Sequence, residues 1–259
     1  MNDVVDLAAR RRPKKDGLAY TPTFESISVL LEKTCRMPQL GIGLIVGTPG
    51  VGKTTALRAH ANSRLRILCT MSKTAGSLRY GLAELCQAFS PETLPLRADQ
   101  LRDRLWQHLQ LLRDRRLDGG DVLVMIDEAQ FMGDDMLHMI RSLWDRVTIR
   151  AEPCIPLVLA GNPSVRTRLT KKGFEQIHSR LGLTLHLKAP EPGDVAEICR
   201  LHRVAGARAV ERLERLAAVG GLRTVVRVIA LARDGIGAAG PIGPSDIEAA
   251  AEMLSLPLR

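Results

Sequence analysis

The chain has 259 residues and a mass of 28.4 kDa, enough for one large domain or two small ones with a full core. Its 45% hydrophobic and 25% charged residues are those of a globular protein and exclude a disordered, collagen-like or fibrous chain. Lys and Arg number 37 against 28 Asp and Glu, a net charge of +9; nine basic and nine acidic residues cancel from Ala189 onward, so the whole excess lies in residues 1–188.

Such a basic region points to a polyanionic partner, nucleic acid or an acidic membrane surface, with general solubility as the plainer explanation. No apolar run reaches the ~18–20 residues that a membrane-spanning helix needs. Met1–Tyr20 contains no apolar signal core, so a cytoplasmic protein with no membrane partner is expected. Five cysteines, Cys35, Cys69, Cys86, Cys154 and Cys199, are scattered without a CxxC pair, a pattern of reduced thiols rather than of disulfides or a zinc site.

A basic arm opens the chain (residues 1–19, with Arg10, Arg11, Arg12, Lys14 and Lys15). A helix is predicted over Phe24–Thr34, with Ile27, Leu30 and Leu31 on one face and Pro38 ending it. Gly41–Val46 is apolar without alternation, the pattern of a strand buried on both faces. A helix over Thr54–Ser63 and a strand over Leu65–Thr70 follow, then helices over Ser77–Phe89 and Ala98–Arg116. Asp121–Ile126 and Ile155–Ala160 are further strands flanking a helix over Met132–Val147, and Leu183–Leu187 is a candidate fifth strand. Pro190-Glu191-Pro192-Gly193 has the composition of a hinge. Past it only helices are predicted, over Asp194–Ala205, Ala209–Val219, Leu222–Ala232 and Ser245–Leu254. Strands alternating with helices imply an α/β domain with a parallel, doubly wound sheet, here residues 20–189, followed by a small C-terminal helical lid, residues 190–259.

Gly47-Thr48-Pro49-Gly50-Val51-Gly52-Lys53-Thr54 fits the phosphate-loop pattern G-x-x-x-x-G-K-[ST] in full, between a strand and a helix as the pattern requires. Backbone N–H groups of such a loop converge on phosphates, and the helix N-terminus adds partial positive charge. The pattern assigns Lys53 to the β- and γ-phosphates and the Thr54 hydroxyl to Mg²⁺. Val122-Leu123-Val124-Met125-Ile126-Asp127-Glu128 delivers two carboxylates at the C-terminal end of a buried strand, where open α/β sheets place their sites. Asp127 is the expected Mg²⁺ ligand and Glu128 the group that polarises the attacking water. Leu157-Val158-Leu159-Ala160-Gly161-Asn162 ends in an amide suited either to the γ-phosphate or to a turn before Pro163. Met132, Met136, Met139 and Trp144 are expected to pack, in the core or between subunits.

In this order the motifs resemble those of AAA+ P-loop ATPases: Walker A, Walker B, sensor 1 at Asn162 and sensor 2 at Gly220-Gly221-Leu222-Arg223. Within that superfamily the chain is similar to the transposition group of the phage Mu B, TnsC and IstB proteins, over roughly residues 20–235. Ser179-Arg180-Leu181 extends the likeness, and only the basic arm stands where the Mu protein carries a helix-turn-helix domain. The resemblance implies an ATP-dependent, largely sequence-nonspecific DNA-binding ATPase that forms filaments on double-stranded target DNA, recruits or activates a transposase, and confers target immunity. A replicative helicase loader of the IstB-related type is the alternative. ATP and Mg²⁺ are the implied cofactors, with Gly47, Thr48, Pro49, Gly50, Val51, Gly52, Lys53, Thr54, Thr55, Asp127 and Arg223 around them. Arg180 matches the arginine finger supplied to a neighbouring subunit in a helical filament or ring, with Arg166 and Arg168 as rivals and a salt bridge as the plainer role. For DNA, the resemblance and the charge point to Lys73 and Thr74, then Arg79, Arg102 and Arg104, within a basic run that includes Arg97, Arg113, Arg115 and Arg116 but also Asp99, Asp103 and Asp114. With only 3% aromatic residues, phosphate contacts rather than base stacking are expected to dominate.

Overall fold

The computed structural model describes residues 17–91, 97–148, 155–235 and 240–256. Cys154 and most of the basic arm lie outside them. Two compact units are distinguishable among these residues, one formed by residues 28–46 and 54–186, the other by residues 17–27, 47–53 and 187–256.

The first unit is built on the sheet. Strands β1 (Ile42–Gly47), β2 (Arg66–Thr70), β3 (Leu123–Asp127), β4 (Leu157–Gly161) and β5 (Leu181–Leu187) lie in the order β2-β3-β4-β1-β5. The pairs β1–β4, β3–β4 and β2–β3 are parallel. Helices carry the chain between strands: α1 (Pro22–Arg36) precedes β1, α2 (Lys53–His60) follows it, and α3 (Leu78–Phe89) with α4 (Ala98–Leu117) joins β2 to β3. Next come α5 (Asp134–Thr148) between β3 and β4, then two short helices, α6 (Pro163–Leu169) and α7 (Glu175–His178), before β5. Neither short helix announces itself in the sequence, since one or two turns are too few for a helical period to register.

β1, β3 and β4 are buried at every position, so one set of alternate residues serves each face. Leu44, Val46, Val124, Ile126, Leu157 and Leu159 meet Leu82, Leu85, Leu101, Leu105, Met136 and Trp144 of α3–α5 in one core. On the other face Gly43 leaves room for Leu30 and Thr34 of α1. Burying a Leu or Met side chain in such a core is worth about 1.5–3 kcal/mol. The indole N–H of Trp144, which could not be buried unpaired, donates to the Ile155 carbonyl at 2.9 Å. Met132 and Met136 are buried and Met139 partly so, which gives these methionines the packing role expected of them. β5 alternates half-buried and exposed residues, as an edge strand does, and begins two residues earlier than the sequence indicates. The four described cysteines are free and buried.

Beside this core lies a polar knot around the buried Arg66. Arg66 donates to Glu32 at 2.9 Å and to both Asp121 oxygens at 3.0 Å, and contacts His60 Nδ1 at 3.2 Å. His60 Nε2 bonds the Ser28 hydroxyl at 2.9 Å. An Arg with two carboxylates is how a chain buries charge without leaving it unpaired.

The second unit is helical beyond β5: α8 (Asp194–Leu201), α9 (Ala207–Ala230) and α10 (Pro244–Met253). Leu213, Leu216, Val225, Ile229, Ile242 and Ile247 are among its core residues. Its Asp194, fully buried, accepts from Thr23 N (2.8 Å), Thr23 Oγ1 (2.6 Å) and Glu191 N (2.7 Å), fixing the start of α1 within this unit. α9 departs from helical geometry at Gly221, between the two helices read from the sequence. Among the described residues no helix is long and apolar enough to cross a membrane.

The polar knot makes stability pH-dependent. Burial, then the charge of Arg66, lowers the His60 pKa to about 4 against the opposing pull of Glu32 and Asp121. The unfolded chain, with an ordinary His near 6.5, therefore takes up the proton first as the pH falls. Stability is full above pH 6.5 and declines towards pH 4, by on the order of 3 kcal/mol at most. Urea unfolding across that range should show the decline in the wild type and a shallower one in His60→Asn; equal slopes would remove His60 as its source.

Candidate nucleotide-binding site

The site begins where the strands end. In the first unit, β3 runs five buried residues and stops at Asp127, which is fully buried. Its Oδ2 accepts from the Thr54 hydroxyl at 2.6 Å, and its Oδ1 accepts from Glu128 N at 2.9 Å. A buried carboxylate next to a hydroxyl is a set of hard oxygen donors, the chemistry that suits Mg²⁺ with only one or two protein ligands. Glu128 follows in the left-handed region (φ 56°, ψ 36°), uncommon for a residue with a Cβ. There its carboxylate accepts from Gln130 Nε2. Asn162, at the end of β4, caps α6 by accepting from Ser164 N at 2.9 Å; the turn-forming role is thus filled, while its backbone N–H donates to Gln130 Oε1 at 3.1 Å. Gln130 joins Glu128 to Asn162; the sequence does not single it out, because the left-handed turn that brings it back has no compositional mark.

In the second unit lies the loop from Gly47 to Lys53. Gly50 (φ 80°) and Gly52 (φ 106°) take backbone angles that side-chain-bearing residues rarely adopt, and Val51 is fully buried. Lys53 is buried, its ammonium donating to the carbonyls of Gly47 at 2.7 Å and Thr48 at 3.0 Å. Thr55 is exposed in the first turn of α2. The lid motif of the same unit meets this loop. A Cβ on Gly221 (φ 70°, ψ −179°) would sit 3.0 Å from the Gly50 carbonyl group and 3.1 Å from the Pro49 oxygen, and Arg223 N donates to Gly50 O at 3.3 Å. The Arg223 side chain is exposed.

Residues 38–169 match the AAA domain family, half of the chain. The chain belongs to the AAA domain family. It is 28% identical over 181 residues to the ATP-dependent target DNA activator B of Escherichia phage Mu, and equally so to that of Escherichia phage D108, covering 68% of this chain. It spans about half the length of these curated relatives, 54%. In fold it is similar to the RuvB Holliday junction branch migration motor of Thermotoga maritima (TM-score 0.57, 17% identity, 91% of this chain and 70% of that one). The ORC2 protein of Aeropyrum pernix is similar as well (TM-score 0.60, 14% identity, 88% and 67%). The family is thus that of the AAA domain, and the fold is shared with these two solved structures.

The remaining candidates of this AAA domain lie elsewhere in the first unit. Arg180, partly exposed, is paired with Asp145 at 3.0 Å, and Asp145 also with Arg141 at 2.8 Å. Within one chain, then, Arg180 occupies a salt bridge. Arg166 is exposed, and Arg168 lies 3.8 Å from Asp134. Lys73 and Thr74 stand exposed in a single turn, Lys73–Gly76, after β2. Glu84 of α3 organises that turn by accepting from Ser72 N at 3.0 Å and from the hydroxyls of Ser72 and Thr74. Arg79, exposed, lies over the Tyr80 ring. On and before α4, Arg97, Arg102 and Arg113 each pair with a neighbouring Asp, at 2.7, 3.0 and 3.2 Å, which offsets much of that helix's charge; Arg104 is half-buried.

The loop–lid contact gives a direct test. At Gly221 the backbone is in a region that essentially only glycine occupies, worth of the order of 1–3 kcal/mol in strain to any other residue. Gly221→Ala should weaken ATP binding about tenfold or more, read by titration with a fluorescent ATP analogue; wild-type affinity would mean that this contact does not shape the loop.

Proposed function

We propose that this chain is an ATP-dependent DNA-binding ATPase that assembles on double-stranded DNA and serves a transposase. The observation that carries the reading is the Thr54–Asp127 contact at 2.6 Å in a chain similar to two proteins named ATP-dependent target DNA activator. In this reading Gly47–Lys53 cradles the phosphates with backbone N–H groups, and Lys53 exchanges the carbonyls of Gly47 and Thr48 for oxygens of the β- and γ-phosphates. Thr54 and Asp127 hold Mg²⁺, which when bound neutralises charge on the phosphates. Glu128 orients and polarises the attacking water, and Asn162 keeps it beside the γ-phosphate. Arg223 reads the γ-phosphate from the lid.

Arg180 leaves Asp145 to complete the site of a neighbouring copy, so hydrolysis requires assembly. ATP then times assembly on the DNA and its hydrolysis times release. Support for a duplex partner comes from the basic excess of residues 1–188 and from the exposed turn at Lys73 and Thr74, both suited to phosphate contacts that carry no sequence preference. The protein works in the cytoplasm, where the transposase meets its target.

Electron microscopy and filter binding with long duplex DNA test this. A slowly hydrolysed ATP analogue should give continuous assemblies that ADP does not support. Affinity should fall steeply with salt, and Lys73→Ala should lower the slope by about one without changing sequence preference. Small rings or single particles that ignore duplex DNA would favour the helicase-loader function instead.

A further inference from the structure

Gln130 is partly buried and spends both ends of its carboxamide within the first unit. Its Nε2 donates to the Glu128 carboxylate, and its Oε1 accepts from Asn162 N at 3.1 Å. Space for it is built into the fold. A Cβ on Gly161, the last residue of β4, would come within 2.6 Å of Gln130 Oε1, so a side chain there would displace the amide. The turn that returns Gln130 to this place is unusual in the same way. Glu128 takes a left-handed backbone held by Asp127 Oδ1 on its N–H and by Phe131 N, 3.0 Å from its carbonyl, and strain of this kind persists where surroundings over-determine it. Two of the residues read as acting at the γ-phosphate, each just past the end of a different strand, are thereby connected through one side chain.

We infer that Gln130 is a positioning residue for hydrolysis: it fixes the Glu128 carboxylate relative to the end of β4, so that the water Glu128 polarises is held in line with the γ-phosphate. This rests on the assignment of Glu128 proposed above. A flexible Glu carboxylate samples several rotamers, and a water-orienting group that is free to turn loses most of its effect, since misplacement by an ångström can cost a hundredfold. The amide is suited to the task because it offers a donor to Glu128 and an acceptor to a backbone N–H at once. Glutamate in its place is equal in size and keeps the acceptor, but it has no donor and repels Glu128.

Steady-state ATPase kinetics on the full chain with duplex DNA separate this from a packing role. Gln130→Ala should lower kcat about tenfold with KM for ATP within about twofold, the pattern of an interaction made in the transition state. Gln130→Glu should lose at least as much although it fills the same space, and it carries the test if the alanine variant does not fold. In a Glu128→Gln background, where hydrolysis is already slow, Gln130→Ala should cost nothing more. Wild-type kcat in Gln130→Glu, a rise in KM that accounts for the loss, or full additivity with Glu128→Gln would each overturn the inference. Undiminished hydrolysis by Glu128→Gln alone would instead overturn the assignment of Glu128 on which it stands.

Discussion

The hydrogen bond between the Thr54 hydroxyl and the buried Asp127 carboxylate is the contact on which the site turns. A carboxylate with no exposed surface is costly unless its charge is engaged, and here one oxygen takes a hydroxyl and the other a backbone N–H. The fold supplies that position at the end of a strand whose five residues are all buried. β3 pairs with β2 from Arg66↔Leu123 to Thr70↔Asp127, and with β4 at Val124↔Leu157 through Ile126↔Leu159. Asp127 is therefore held in the ladder with β2, on a strand whose preceding residues are also paired with β4, rather than on a free loop.

A second constraint is steric. The phosphate loop and the lid motif approach backbone to backbone at Pro49–Gly50 and Gly220–Gly221, and α9 loses its helical geometry at the point of approach. Two glycine-bearing segments meet there without intervening side chains, and the Arg223 N–H rests on the Gly50 carbonyl. The interruption falls between the two helices read from the sequence and sets Gly221 against the loop.

Much of this was legible in the sequence because burial on both faces makes a strand apolar throughout. Gly41–Val46, Val122–Ile126 and Leu157–Ala160 stand out for that reason, and each is followed by residues that no core would choose: a glycine-rich loop, two carboxylates, an amide. β5 is less legible, since an edge strand with exposed Gly182, Thr184 and His186 presents only alternate leucines. The pairings of Arg180 with Asp145 and of Gln130 with Asn162 span 35 and 32 residues. Such partners are chosen by the tertiary fold, and local pattern holds no record of them. Asn162 shows the same limit from another side: a helix cap and a phosphate sensor ask for the same amide before Pro163, and residue identity cannot separate them.

In the proposed function Thr54 and Asp127 form the metal-dependent half of an ATP site. Equilibrium titration of ATP with and without Mg²⁺, on the wild type and on Asp127→Asn, examines it most directly. Wild-type affinity should fall at least about tenfold when Mg²⁺ is removed, and Asp127→Asn should bind ATP with that same weakened affinity whether Mg²⁺ is present or not. An Asp127→Asn chain that keeps the full Mg²⁺ dependence of the wild type would contradict the account.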